Sequence, residues 1–210
     1  MKIRRILLLA AFIALSWTGG AGATLITFDF TATVTLVSPG LASFFTLNET
    51  LTGSYTFEST TAGVPSGLFA VDYPALTAFS VSGANFTGSW TGGSIFVQDS
   101  PTGDEYFAQA LTGFTGTDTG IGVLPTATIA LLDPTGAMLS STLLPLTPPS
   151  LPSDPRFAID YHTGPEMHIE VLATLTSLTV APGTAPEPAS LALVGVALAG
   201  IALTYLRRPT

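Results

Sequence analysis

The central part of this sequence, residues 24–182, predicts an all-β domain, a single antiparallel β-sandwich. Three observations lead there. Apolar residues and threonines alternate with period two over long runs, and clusters of Gly, Pro, Asp and Ser fall between those runs. Outside the two termini, no segment shows the 3.6-residue apolar period of a helix. A jelly-roll arrangement is one option for the sandwich, because strand order is not written in local alternation.

The first strand is the clearest. Ile26, Phe28, Phe30, Ala32, Val34 and Leu36 fall on one side of an extended chain, and Thr27, Asp29, Thr31, Thr33 and Thr35 on the other. That is a strand with one buried and one solvated face. In LTGSYTFES, Leu51, Tyr55 and Phe57 face one way and Thr52, Ser54, Thr56 and Glu58 the other. Shorter strands are expected at 76–81, 94–97, 126–132 and 157–162, and a long one at 167–180. Turns are expected at Ser38-Pro39-Gly40, Gly63-Val64-Pro65, Ser100-Pro101-Thr102-Gly103 and Asp133-Pro134-Thr135-Gly136. Five prolines between 144 and 155 predict an extended surface loop.

The ends read differently. Lys2, Arg4 and Arg5 precede an apolar stretch at 6–15 that is too short to span a bilayer. Ala21 and Ala23 then frame a small-residue site for signal peptidase. Residues 1–23 are therefore expected to be a cleaved signal peptide, leaving Thr24 as the mature N-terminus. At the other end, 183–188 form a Pro-rich stalk, and residues 189–206 carry no charge. As a helix, these eighteen residues would measure roughly 27 Å, enough to cross a bilayer core. Arg207 and Arg208 follow, so the body is expected outside the inner membrane with the extreme C-terminus inside.

Pro186-Glu187-Pro188, then a spanning helix, then Arg207 and Arg208, all at the end of an exported chain, resemble the PEP-CTERM sorting signal. The resemblance covers about the last twenty-five residues. It implies a Gram-negative host that makes exopolysaccharide, and processing by an exosortase near the Pro-Glu-Pro. The body would then be passed from an inner-membrane precursor to the cell envelope or extracellular matrix.

Charge and composition narrow the possible functions. Of the six basic residues only Arg156 lies between Thr24 and Glu187, against all fourteen acidic ones, a net charge of −13 for that stretch. Such a surface repels phosphate backbones, which excludes nucleic acid as a partner. Cysteine is absent, so no disulfide, thiol nucleophile or cysteine–zinc site exists. No G-x-S-x-G motif appears, and the only histidines are His162 and His168. Asp104, Glu105 and Asp118 are carboxylates of the type used in glycoside hydrolysis, and the segment from Asp99 to Glu105 could hold calcium weakly. A solvated turn is the better reading of both. Trp90, Tyr73 and Tyr106 lie near turns, where exposed rings would stack on sugars; core aromatics are the plainer reading.

One constellation stands out. Phe157, Ile159 and Tyr161 alternate with Asp160 and His162; after Thr-Gly-Pro-Glu, Met167, Ile169 and Val171 alternate with His168 and Glu170. A hairpin with a five-residue loop at 163–167 keeps both apolar sets on one face. His162 then sits opposite His168, and Asp160 opposite Glu170. Two imidazoles and two carboxylates are ligands for zinc or a similar metal, although a merely solvated polar face is the commoner outcome.

The resulting expectation is a non-enzymatic exported protein without a cofactor, a substrate of signal peptidase and exosortase. It is held by the membrane before processing and associates with exopolysaccharide or biofilm afterwards. The alternative is a carbohydrate-binding module acting on matrix polysaccharide.

Overall fold

A computed structural model describes residues 24–164 and 167–183. The expected signal peptide, the Pro-Glu-Pro motif and the spanning segment at 189–208 lie outside the described residues. Among the described residues no helix is long and apolar enough to cross a membrane.

The chain forms β1 (Leu25–Val37), a single 3-10 turn at Pro39–Leu41, β2 (Thr50–Glu58), β3 (Val64–Pro65), β4 (Ala70–Ser82) and β5 (Thr87–Trp90). These are followed by β6 (Gly92–Ser100), β7 (Gly103–Thr112), β8 (Thr115–Gly116), β9 (Thr126–Asp133), β10 (Arg156–Gly164) and β11 (Met167–Val180). Every pairing is antiparallel. The main order is β2-β1-β11-β10-β9-β7-β6-β4, and β4 returns to pair with β2 from Thr52↔Ser82 to Phe57↔Leu76. The sheet therefore closes on itself as an eight-stranded barrel. This corrects the sandwich expected from sequence. A strand with one apolar face serves either architecture equally well, and only the long-range β2–β4 pairing decides between them.

β4 makes closure possible. Its first half pairs with β6 (Tyr73↔Ile95) and its second half with β2 on one edge and β5 on the other (Phe79↔Tyr55, Phe79↔Trp90). The register of β4 against β6 shifts between Tyr73 and Leu76, around Pro74, which has no N–H to give to a ladder. Further shifts occur in β11, where Thr176 is the extra residue opposite Thr31 and Ala32, and in β4, where Thr77 is the extra residue opposite Thr56 and Phe57. Such bulges add the local bend and twist that a small barrel requires.

The interior is filled with side chains, as expected for eight strands. Phe28, Phe30, Tyr55, Phe57, Phe79 and Phe157 form a linked aromatic wall, with Phe30 5.2 Å from Phe157 and 5.6 Å from Phe79 between ring centres. Alanines 32, 108, 110, 127 and 173 supply small interior positions beside these large ones. Gly53 lies opposite Phe30, and a Cβ there would come within 2.2 Å of Ser80 O and 2.4 Å of Phe30 Cζ. A glycine is needed because ring and backbone already occupy that space. The outward faces of β1, β2 and β11 are rich in Ser and Thr, tied by bonds such as Thr31 Oγ1 to Thr176 Oγ1 at 2.7 Å. Apolar inside and polar outside is the reverse of a lipid-facing barrel.

Ile26, Phe28, Phe30, Ala32 and Val34 are buried as the alternation predicts, but Leu36 is exposed. A register shift between Val34 and Leu36 breaks the alternation there, which corrects the inward placement of Leu36. β7 was not anticipated from sequence, because its first residues, Gly103, Asp104 and Glu105, look like a turn. The proline-rich segment lies across the barrel wall without strand structure, and its Leu144, Pro149 and Pro155 are buried.

Candidate functional site

β10 and β11 form a hairpin on the barrel wall, flanked by β9 and β1. Phe157, Ile159, Tyr161 and Val171 point into the barrel, so Asp160, His162, His168 and Glu170 take the outer face. Asp160 is opposite Glu170, and His162 opposite His168. The loop differs from the five-residue one expected: after a shift beyond His162, Gly164 pairs with Met167, so the ladder reaches closer to the tip.

Three of the four candidate side chains converge. Asp160, His162 and His168 place one donor atom each within 4.8 Å of the others. His168 Nδ1–H donates to Asp160 Oδ2 at 3.0 Å, and His162 Nε2 lies 3.4 Å from the same oxygen. The two rings meet edge to face with centres 4.6 Å apart. Glu170 does not join this cluster, but its charge acts on it. Hydrogen bonding to Asp160, then the charge of Asp160, raises the pKa of His168 above that of a free imidazole, with a smaller push from Glu170. The backbone there is held from both sides: Asp160 pairs with Thr126 of β9, while Glu170 N–H donates to Ser38 Oγ at 3.0 Å.

The other candidates have structural settings. Asp104 is buried in β7, and its Oδ2 accepts Leu139 N–H at 2.8 Å, tying down the segment after β9. Asp99 and Asp104 face each other across the β6–β7 ladder next to its Pro101-Thr102 turn. Asp118 Oδ1 accepts Gly120 N–H in a loop. Trp90, Tyr73 and Tyr106 are buried, the core setting that is the plainer reading of the sequence, and offer no exposed face for stacking on sugars. Trp90 donates Nε1–H to Pro125 O, Tyr73 donates to Thr142 O, and Tyr106 shares a 2.8 Å hydroxyl contact with Tyr55 inside the barrel. An open cleft of about 670 Å³ lies between Tyr73, residues 59–61 and residues 138–150. Sequence reading missed it, because packing of the proline-rich segment against the barrel creates it.

Beyond the barrel, a family model described as the PEP-CTERM protein-sorting motif matches residues 184–208. The chain carries a PEP-CTERM sorting motif. That span contains Pro186, Glu187 and Pro188 near its start and Arg207 and Arg208 at its end. The PEP-CTERM motif implies export, a membrane-anchored precursor in a Gram-negative bacterium, and exosortase as the processing enzyme. No curated protein and no solved structure matches the chain.

Proposed function

We propose that this protein is a non-enzymatic barrel of the cell surface or extracellular matrix, delivered by signal peptidase and exosortase and associated there with exopolysaccharide. The PEP-CTERM motif at 184–208 carries this reading, because it marks the chain for exosortase. The body's composition supports it. A cysteine-free, strongly acidic chain needs no disulfide chemistry outside the cell and stays soluble among acidic polymers. The closed barrel adds to this, since closure leaves its eight strands without a free edge through which copies would aggregate during export.

The test is the mass of the mature protein in an exosortase-positive host and in the same host lacking exosortase. The first should yield a chain starting at Thr24 and ending near Pro186-Glu187-Pro188. The second should retain the tail, as should Glu187→Ala in the first host. Mature protein that keeps residues 191–208 in the exosortase-positive host would refute the processing claim.

A further inference from the structure

We propose that Asp160, His162 and His168 bind a divalent transition-metal ion, zinc being the representative probe. The donor atoms are already gathered. Ligands at 2.0–2.1 Å from a tetrahedral zinc lie about 3.4 Å from one another. Asp160 Oδ2 is 3.0 Å from His168 Nδ1 and 3.4 Å from His162 Nε2, and all three donor atoms lie within 4.8 Å of one another, so rotation of the two exposed rings would admit the ion. The metal displaces the Nδ1 proton of His168 and occupies the space where that hydrogen bond now runs.

Charge favours a cation here. Asp160 and Glu170 oppose each other across the ladder, and the single Lys or Arg among the described residues, Arg156, is paired with Asp154. Two facing carboxylates repel, which a dication relieves. Asp160 Oδ1 is buried and has no hydrogen-bond partner, while Oδ2 faces both rings. One carboxylate thus holds an unsatisfied oxygen beside two nitrogens.

Imidazole with carboxylate selects zinc, nickel, copper or cobalt over calcium and magnesium, which prefer oxygen. Three protein ligands leave a coordination position open to water or an external donor. The histidines are about half exposed, with side chains 56% and 48% accessible, so the ion enters directly from solvent. Asp160 is the last residue of β10 paired to β9, and His162 and His168 face each other on the two-stranded end of the hairpin just beyond, so the ladder between them sets the spacing of the donors.

His162 and His168 are the only histidines in the chain, so every histidine signal reports on this site. The full-length protein, in detergent and without a histidine tag, is stripped with EDTA at neutral pH and titrated with zinc by calorimetry and by NMR of the imidazole Hε1 protons. One zinc per chain is expected, with Kd of about 10 μM or tighter. Both imidazoles should shift together and saturate at one equivalent. The His162→Ala/His168→Ala double variant should bind at least about tenfold more weakly, and Glu170→Gln should change affinity less. Binding weaker than about 100 μM, unmoved imidazole signals, or affinity unchanged in a folded double variant would overturn the site. The wild-type NMR titration decides the matter even if the double variant does not fold.

Discussion

Tyr55 and Tyr106 bring two hydroxyls together inside the barrel, and these can be tested as a pair. Both side chains are fully buried, and the oxygens are 2.8 Å apart. One hydroxyl donates to the other, so removing either strands its partner away from water. Tyr55→Phe or Tyr106→Phe alone should therefore cost about 1–3 kcal/mol. Removing both leaves two rings of the same shape and no orphan. The double variant should then be clearly more stable than the sum of the singles predicts, with a coupling of about 0.5–3 kcal/mol. Urea unfolding of the mature protein measures this, with Trp90 as the reporter, the only tryptophan after the signal segment. Each kcal/mol should also move the melting temperature by about 2–4 °C for a domain of this size. Singles that cost under about 0.5 kcal/mol and add without coupling would refute a mutually satisfied buried pair. The pH dependence gives an independent check. Burial raises the pKa of both phenols, and for Tyr55 the neighbouring Tyr106 raises it further. The folded state then holds protons that the unfolded state releases. The contribution is full below the ordinary tyrosine pKa of about 10 and is lost as pH rises beyond it. Replacing both tyrosines should lessen this alkaline decline and leave the part due to Tyr73 and Tyr161, whose phenols burial also pushes up.

Further outcomes follow from the same structure. Gly53→Ala should cost about 1–3 kcal/mol or more in urea unfolding, because the new Cβ meets Ser80 O and Phe30 with no room to move, whereas Thr31→Ala, half-buried on the outward face, loses only hydroxyl contacts to Thr176 and Ser177 and should cost under about 1 kcal/mol. Equal costs at the two positions would contradict the assignment of inner and outer faces. In EDTA, NMR should show His168 titrating above about 6.5, and Asp160→Asn should bring it down. The groups facing His168 are Asp160 and His162 on β10 and Glu170 on its own strand. The stability it adds is present below its ordinary pKa and disappears as pH rises through the raised one. An unchanged midpoint in Asp160→Asn would remove Asp160 as the cause.

Much of the local structure was legible because antiparallel strands announce themselves by alternation. Phe28, Phe30, Tyr55, Phe57, Phe157 and Ile159 are all buried where period two puts them. The juxtaposition of His162 and His168 was legible too, since a hairpin pairs residues close in sequence and a one-residue slip would put Ile159 and Val171 on opposite faces. Other features had no local signature. Asp104 and Glu105 look like turn residues, yet Asp104 is a buried anchor for Leu139, and nothing local names the partners that Trp90, Tyr73 and Tyr106 take. Their settings depend on strands and loops 35 to 69 residues away, at Pro125, Leu139, Thr142 and Tyr55. Closure is the largest case. The sequence by itself determined that strands with one apolar face and short turns would form an antiparallel all-β body. Whether that body became two stacked sheets or one closed wall was decided only by tertiary structure, when β4 bent at Pro74 and its second half met β2. Burial of the apolar face drives either arrangement, and only pairing of the last free edges separates them.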